Sequence, residues 1–352
     1  MIPFFDMRRE VAAVRADLDR AIARVLDSGG FVGGPEVAGF EAALAAHVGV
    51  GHAVGVSSGT DALVAIAMAL GWGAGDEIVT TPLSFFATVE AIVRVGARPV
   101  FADVDAATGN IDPGALAAAV GPRTRAALVV HLFGRPATWP ALAVPVVEDA
   151  AQAVGAAPVR GVAAALSFFP TKNLGGCGDG GAVLTDDAAL ADAIALVRNH
   201  GARPKYHHVV VGGNFRLDAL QAAILAAKLA HLDGWVAARR VRAARYRAAL
   251  ADVAAVQVPP DDPRHVYHHF VIRAERRDAL RAHLAAAGIG TEIYYPSPLH
   301  LQPALAHLGY RAGQCPVAEA ACAELVALPM YPTLTLDEVD AVAAAVAGCF
   351  SR

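Results

Sequence analysis

Between about residue 50 and residue 185, short runs of β-branched and other apolar residues alternate with alanine-rich stretches whose polar residues recur at helical spacing. The runs predict strands near Ala53–Ser57, Glu77–Thr81, Arg98–Asp103, Ala127–Leu132, Val144–Glu148, Ala164–Phe168 and Gly181–Thr185. Helices are expected at Asp61–Leu70, Phe86–Val95, Pro113–Val120 and Ala188–Asn199. Such alternation implies an α/β unit whose largely parallel seven-stranded sheet is covered on both faces. The pattern changes after about residue 213. Two helical stretches follow, Leu217–Leu232 and Trp235–Leu250, the second studded with arginine. Beyond Pro259 and Pro260 come a strand at His268–Arg273, a helix at Arg277–Ala287, a turn at Gly288, a strand near Thr291–Tyr294 and a closing helix from about Asp337. The expected division is a large domain over residues 1–243 and a smaller α+β C-terminal domain over residues 244–352.

Composition narrows the class. With 352 residues, 55% hydrophobic and 18% charged, the chain is an ordered protein of two-domain size. Mean hydropathy of +0.43 is high, but much of it is alanine. The longest uncharged apolar stretch, Ala62 to Gly75, has 14 residues, short of the roughly 20 that cross a bilayer. Met1–Glu10 lacks an apolar run followed by a small-residue cleavage site, so a soluble, cytoplasmic protein without a membrane partner is expected. The net charge is −4 and no basic block tracks along a face, which argues against nucleic acid. The four cysteines show no CxxC spacing.

Of the 29 basic residues only Lys172, Lys205 and Lys228 are lysine. Arginine cannot lose its proton in a protein, whereas a lysine amine can, and can then attack a carbonyl. Lys228, inside the helical run QAAILAAKLAHLD, and Lys205, in a loop, read as solvated charges. Lys172 differs because it leaves a strand, in SFFPTKN. Val56–Asp61 also follows a strand and opens a helix, as an N-terminal phosphate site does, or as an ordinary cap by Ser58 or Thr60 does. A third strand ends in Glu148 and Asp149, and Lys172 lies 23 residues beyond Asp149. Phosphate cradle, acid and amine at three strand exits match what pyridoxal phosphate needs. Gly176, Gly178 and Gly181 in GGCGDGG have dinucleotide-fingerprint spacing but precede a strand instead of opening a helix, so that run reads as a loop. In HVYHH, His265, His268 and His269 stand at a strand entrance without a carboxylate, and turn or interface imidazoles are expected there rather than a metal.

The ordered segments SGTDAL, TTPLSFFATVEAI, VEDAAQAVGA, SFFPTKNLGGCGDGGAV and GGNFRLDALQAAIL resemble the DegT/StrS-type sugar aminotransferases, from IPFFDMRREV to YYPSPLHLQPAL. The resemblance implies a fold-type-I pyridoxal 5'-phosphate enzyme. It makes Lys172 the Schiff-base lysine, Asp149 the partner of the pyridinium nitrogen, Gln152 a neighbour of the phenolic oxygen and Phe85 the ring stacked on the cofactor. It gives the phosphate to Gly59, Thr60 and Ser167, joined by Asn214 from the neighbouring subunit, so that a homodimer shares its active sites. Tyr294, Tyr295 and His300 fall in the segment that lines the sugar-nucleotide site. The implied reaction takes an amino group, with L-glutamate the expected donor, to C3 or C4 of a nucleotide-linked keto sugar. A dehydratase on the same scaffold and a cofactor-binding regulatory protein without turnover are the competing readings. A histidine at position 172 would have pointed to the dehydratases.

Overall fold

The computed structural model describes residues 1–350. Three helices open the chain, α1 (Met7–Ala13), α2 (Arg15–Ser28) and α3 (Gly34–Val48). The alternating region then runs β1 (His52–Val56), α4 (Gly59–Ala69), β2 (Glu77–Thr80), α5 (Ala87–Arg94), β3 (Arg98–Phe101), α6 (Pro113–Ala119), β4 (Thr124–Val130), β5 (Val146–Asp149), β6 (Ala163–Ser167), β7 (Gly181–Thr185) and α7 (Ala188–Val197). The remainder is α8 (Ala219–Leu229), α9 (Leu232–Leu250), β8 (Val256–Gln257), β9 (Phe270–Ala274), α10 (Arg277–Ala286), α11 (Pro316–Glu324), β10 (Leu325–Leu328) and α12 (Leu336–Phe350).

The first seven strands form one sheet in the order β1-β7-β6-β5-β4-β2-β3. Only β7 runs antiparallel to its neighbours, β1 and β6. The other strands run parallel, with β5 in register between β4 and β6. Both faces are covered, which is why β5 and β7 are buried along their whole length and β7 (GAVLT) shows no apolar–polar alternation. One face packs on α4, α5 and α7 through Leu63, Ile66, Ile92 and Ile194. The other meets α2, α3 and α8 through Val25, Phe40, Leu44 and Leu225. Because the strands run parallel, their C-terminal ends and the loops that leave them collect on one edge.

The small sheet is antiparallel, β10-β9-β8, and packs on α9, α10 and α12 through Tyr246, Phe270, Leu280 and Val342. The strand expected at Thr291–Tyr294 is a single bridge, Glu292 to Ala327. Pro296 and Pro298 follow at once and have no N–H to extend the ladder. The place beside β9 is taken by β10 instead. Helix α9 runs unbroken through residue 243; its start places Leu232 and Val236 in the core of the large sheet, and its end places Tyr246 and Leu250 in that of the small one. The N-terminal segment closes against late parts of the chain. Ile2 pairs with Ile289, Phe4 and Phe5 pack on His269, and Arg9 forms a two-pronged ion pair with Glu338 at 2.9 Å. No helix among the described residues is long and apolar enough to cross a membrane.

Candidate active site

The edge where the parallel strands end encloses a cavity of about 400 Å³. Its walls include Gly59, Thr60, Phe85, Asp149, Gln152, Ser167 and Lys172, together with Tyr294 and Tyr295. Residues from the exits of β1, β2, β5 and β6 and from the segment after α10 thus meet in one space.

The turn after β1 forms one end. Ser58, not Thr60, caps α4: its Oγ accepts from Asp61 N at 3.0 Å, and Ser57 Oγ donates to Asp61 Oδ2 at 2.6 Å. The N–H groups of Gly59 and Thr60 open the first turn of α4 with no partner among the described residues, as helix geometry requires of a first turn. Gly59 has to be glycine, because a Cβ there would stand 2.7 Å from Ser167 Cβ. A side chain on Gly181 would likewise run into the Ser58 carbonyl. Two unbonded N–H groups, the positive end of a helix dipole and the Ser167 hydroxyl therefore border one corner with no side chain in the way.

Asp149 ends β5 and is buried. Its Oδ2 accepts from Thr88 Oγ1 at 2.7 Å, and that hydroxyl lies 2.8 Å from Ser84 Oγ. Lys172 stands in the turn after β6, closed by its own N–H to Phe169 O at 2.8 Å and by Gly176 N to Phe168 O at 2.8 Å. The side chain keeps some opening to the cavity and is otherwise walled by protein. That desolvation lowers the amine pKa from the ordinary 10.5 to about 8, while the Asp149 carboxylate pulls it upward. The amine thus loses its proton far more readily than an ordinary lysine without being detached from its counter-charge.

The far wall is aromatic. Gln152 is fixed at both ends, its Oε1 accepting from Phe133 N at 2.6 Å and its Nε2 donating to Tyr295 OH at 3.2 Å. Burial raises the Tyr295 phenol and takes that of Tyr294 to about 12, so both remain protonated. Phe85, 60% exposed, tilts toward Tyr295 with ring centres 6.4 Å apart. His268 and His269 are buried in the same wall, with ring centres 3.9 Å apart, and His269 stacks on Tyr294 at 4.2 Å. Burial, reinforced by the Lys172 charge, drives both imidazoles well below their ordinary pKa, so they are neutral.

The model of the DegT/DnrJ/EryC1/StrS aminotransferase family matches residues 13–347. The chain belongs to that family. It is 45% identical to the dTDP-3-amino-3,4,6-trideoxy-alpha-D-glucose transaminase of Streptomyces venezuelae, over 97% of this chain and 95% of the relative. It is 43% identical to a protein of Geobacillus stearothermophilus named a pleiotropic regulatory protein, over 98% of each. Among solved structures it superposes on S. venezuelae DesV, crystallised in complex with a ketimine intermediate, with a TM-score of 0.95 and 42% identity, covering 100% of this chain and 99% of that one.

Two of the expected residues lie outside this cavity, and for Asn214, expected in the neighbouring subunit's site, that is no departure. His300 does not line the cavity. Leu299 N bonds Pro82 O at 2.7 Å, and the segment so pinned turns the His300 ring inward, where it is buried beside Phe101 with Nε2 3.0 Å from Glu319 Oε1. Asn214 also lies outside its own subunit's cavity, exposed on the loop before α8. Sequence reasoning missed Ser84 and Thr88, and it treated His268 and His269 as peripheral. Thr88 had a signal: a threonine on the buried face of α5, four residues after a serine, needs a polar partner. The histidines had none, because which way a residue points at the entrance of β9 depends on what packs there.

Proposed function

We propose that the cavity binds pyridoxal 5'-phosphate and that the protein transfers an amino group, with L-glutamate as donor, to C3 of a nucleotide-linked keto sugar. The observation that carries this reading is a lysine amine lowered to about 8 in one cavity with a hydroxyl-held carboxylate and two unbonded helix N–H groups. These groups fit the cofactor: a phosphate suits the corner at Gly59, Thr60 and Ser167, where a Cβ would have filled the space. When bound, the cofactor supplies an aldehyde for attachment to Lys172 and an electron sink for the pair released when a substrate C–H is broken.

The residues then divide the work. Asp149, oriented by Thr88, would hold the proton on the cofactor's ring nitrogen. Lys172 Nζ, neutral in good part near pH 8, would take the proton from the donor carbon and hold it for return. Phe85 would cover one face of the cofactor ring, and Gln152, braced by Phe133 and Tyr295, would stand by its phenolic oxygen. Tyr294 and Tyr295 face the sugar. Asn214 is assigned to the phosphate of a partner subunit, a reading supported by its exposure and by the apolar surface just before it, where Val209, Val210 and Val211 are 50%, 44% and 85% exposed. C3 is preferred to C4 because the S. venezuelae relative is named for a 3-amino sugar.

A panel of nucleotide-linked 3-keto and 4-keto sugars, incubated with L-glutamate and read by mass spectrometry, tests the reading. An amino sugar appears with an equivalent of 2-oxoglutarate. Cofactor binding without amino-group exchange on any sugar would favour the regulatory role for which the Geobacillus relative is named. Loss of a hydroxyl without oxo-acid formation would favour a dehydratase.

A further inference from the structure

The GGCGDGG run and Lys228 of α8, neither of which has a part in the scheme above, meet under the turn that carries Lys172. Lys228 is not a solvated charge but 2% exposed. Its Nζ donates to the Gly175 carbonyl and lies 5.8 Å from the centre of the Trp235 ring. Burial lowers the pKa of its amine, and the charge of the buried Glu10 of α1 opposes that shift. Two turns earlier on α8, Gln221 Oε1 accepts from Cys177 N at 2.9 Å. Side chains on Gly176 and Gly178 would stand 2.7 and 2.9 Å from Gln221, and one on Gly175 would enter the Pro170 carbonyl. Gly175 is required by the Pro170 carbonyl, and Gly176 and Gly178 let the loop lie close on α8, within reach of Gln221 and Lys228.

We propose that Lys228 is a positioning residue for Lys172: by donating to the Gly175 carbonyl it fixes the turn that aims the Lys172 amine into the cavity. The proposal rests on the reading of Lys172 as the reactive amine. Lysine suits the place better than the arginine this chain uses almost everywhere else. A slim stem brings one ammonium to one carbonyl, whereas a guanidinium would bury five N–H donors in a slot that offers few acceptors. A charge-assisted bond also holds a backbone carbonyl more firmly than a neutral donor would.

The test uses Lys228→Met, which keeps the stem and removes the ammonium, and Lys228→Gln, which keeps a neutral donor. In the cofactor-free full chain, trace labelling with acetic anhydride across pH, read on the Lys172 peptide with exposed Lys205 as reference, gives the Lys172 titration midpoint. Expected is a rise of about one unit from the wild-type value in Lys228→Met, as the loosened turn admits water to the amine, with a smaller rise in Lys228→Gln. In the loaded enzyme kcat falls on the order of tenfold while KM changes less than about twofold, as for a reacting group displaced by a fraction of an ångström. A folded variant with the wild-type midpoint and kcat overturns the proposal. So does one whose thermal midpoint falls while both readouts stay put, since that is a structural role only. Should Lys228→Met fail to fold, Lys228→Gln is judged by the same two readouts. Should borohydride fix the cofactor to a lysine other than Lys172, the functional reading fails, while the cofactor-free titration still decides whether Lys228 sets the state of Lys172.

Discussion

Replacing Asp149 by asparagine should make Lys172 more reactive and the enzyme worse. Two effects set the state of the amine: burial, which lowers its pKa to about 8, and the Asp149 carboxylate, which raises it. Asparagine keeps the shape, and its amide oxygen can still accept from Thr88 Oγ1, so the cavity should survive. The charge goes, and the remaining desolvation lowers the amine further. If the carboxylate is worth about one unit, the pKa moves from about 8 to about 7, and the neutral fraction at pH 7 rises from about a tenth to about a half. Labelling of Lys172 by an amine-directed reagent in cofactor-free protein should then be about fivefold faster at pH 7, and the two proteins should converge above about pH 9 where both amines are neutral. Amino transfer should nevertheless fall on the order of 100-fold, because the proton on the ring nitrogen loses its partner. Unchanged or slower labelling at pH 7 would show that Asp149 does not act on the amine. Near-normal turnover would show that another group holds the ring proton.

Three further outcomes follow from the site. Gly59→Ala should weaken cofactor binding on the order of tenfold by equilibrium dialysis, since its methyl group must push Ser167 out of the phosphate corner; unchanged affinity would remove that corner from the cradle. Borohydride should fix the cofactor to the Lys172 peptide of the wild type, and Lys172→Arg should abolish the linkage; fixation on Lys205 or Lys228 would sink the assignment. Lys172→Ala and Asn214→Ala homodimers should each be impaired, yet mixing them under subunit exchange should restore activity, because one site of the mixed dimer is intact. Absence of recovery in proven heterodimers would put Asn214 outside the partner's site.

The large sheet was legible because parallel strands buried on both faces are written as β-branched runs between helical stretches, and all seven lie where those runs fall. The opening helices were not assigned, although Leu18, Ala21 and Val25 of α2 form a stripe that could have been read. The site residues that follow directly from a strand, Asp149 and Lys172, were found because a parallel sheet delivers such residues to one edge. Where the reading failed, the deciding contact came from far along the chain. Local spacing puts Lys228 on an ordinary helix, and only the loop at Gly175 buries it. His300 reads as part of the sugar-facing segment, and only the bond from Leu299 to Pro82 turns it away. His268 and His269 gain their place when Phe4, Phe5 and Tyr294 close around them.

That last closure sets an order of assembly. Phe4 and Phe5 are made before the large sheet, yet the imidazoles they pack against, and Ile289 with which Ile2 pairs, are made well after it. The sheet that carries Asp149 and Lys172 can form while the chain is still being translated, since domains fold as they emerge. Its cavity at that stage lacks the wall of His268, His269, Tyr294 and Tyr295 and lies open to water. The desolvation that tunes Lys172 is therefore completed only after this later segment has closed over the sheet edge and against Phe4 and Phe5.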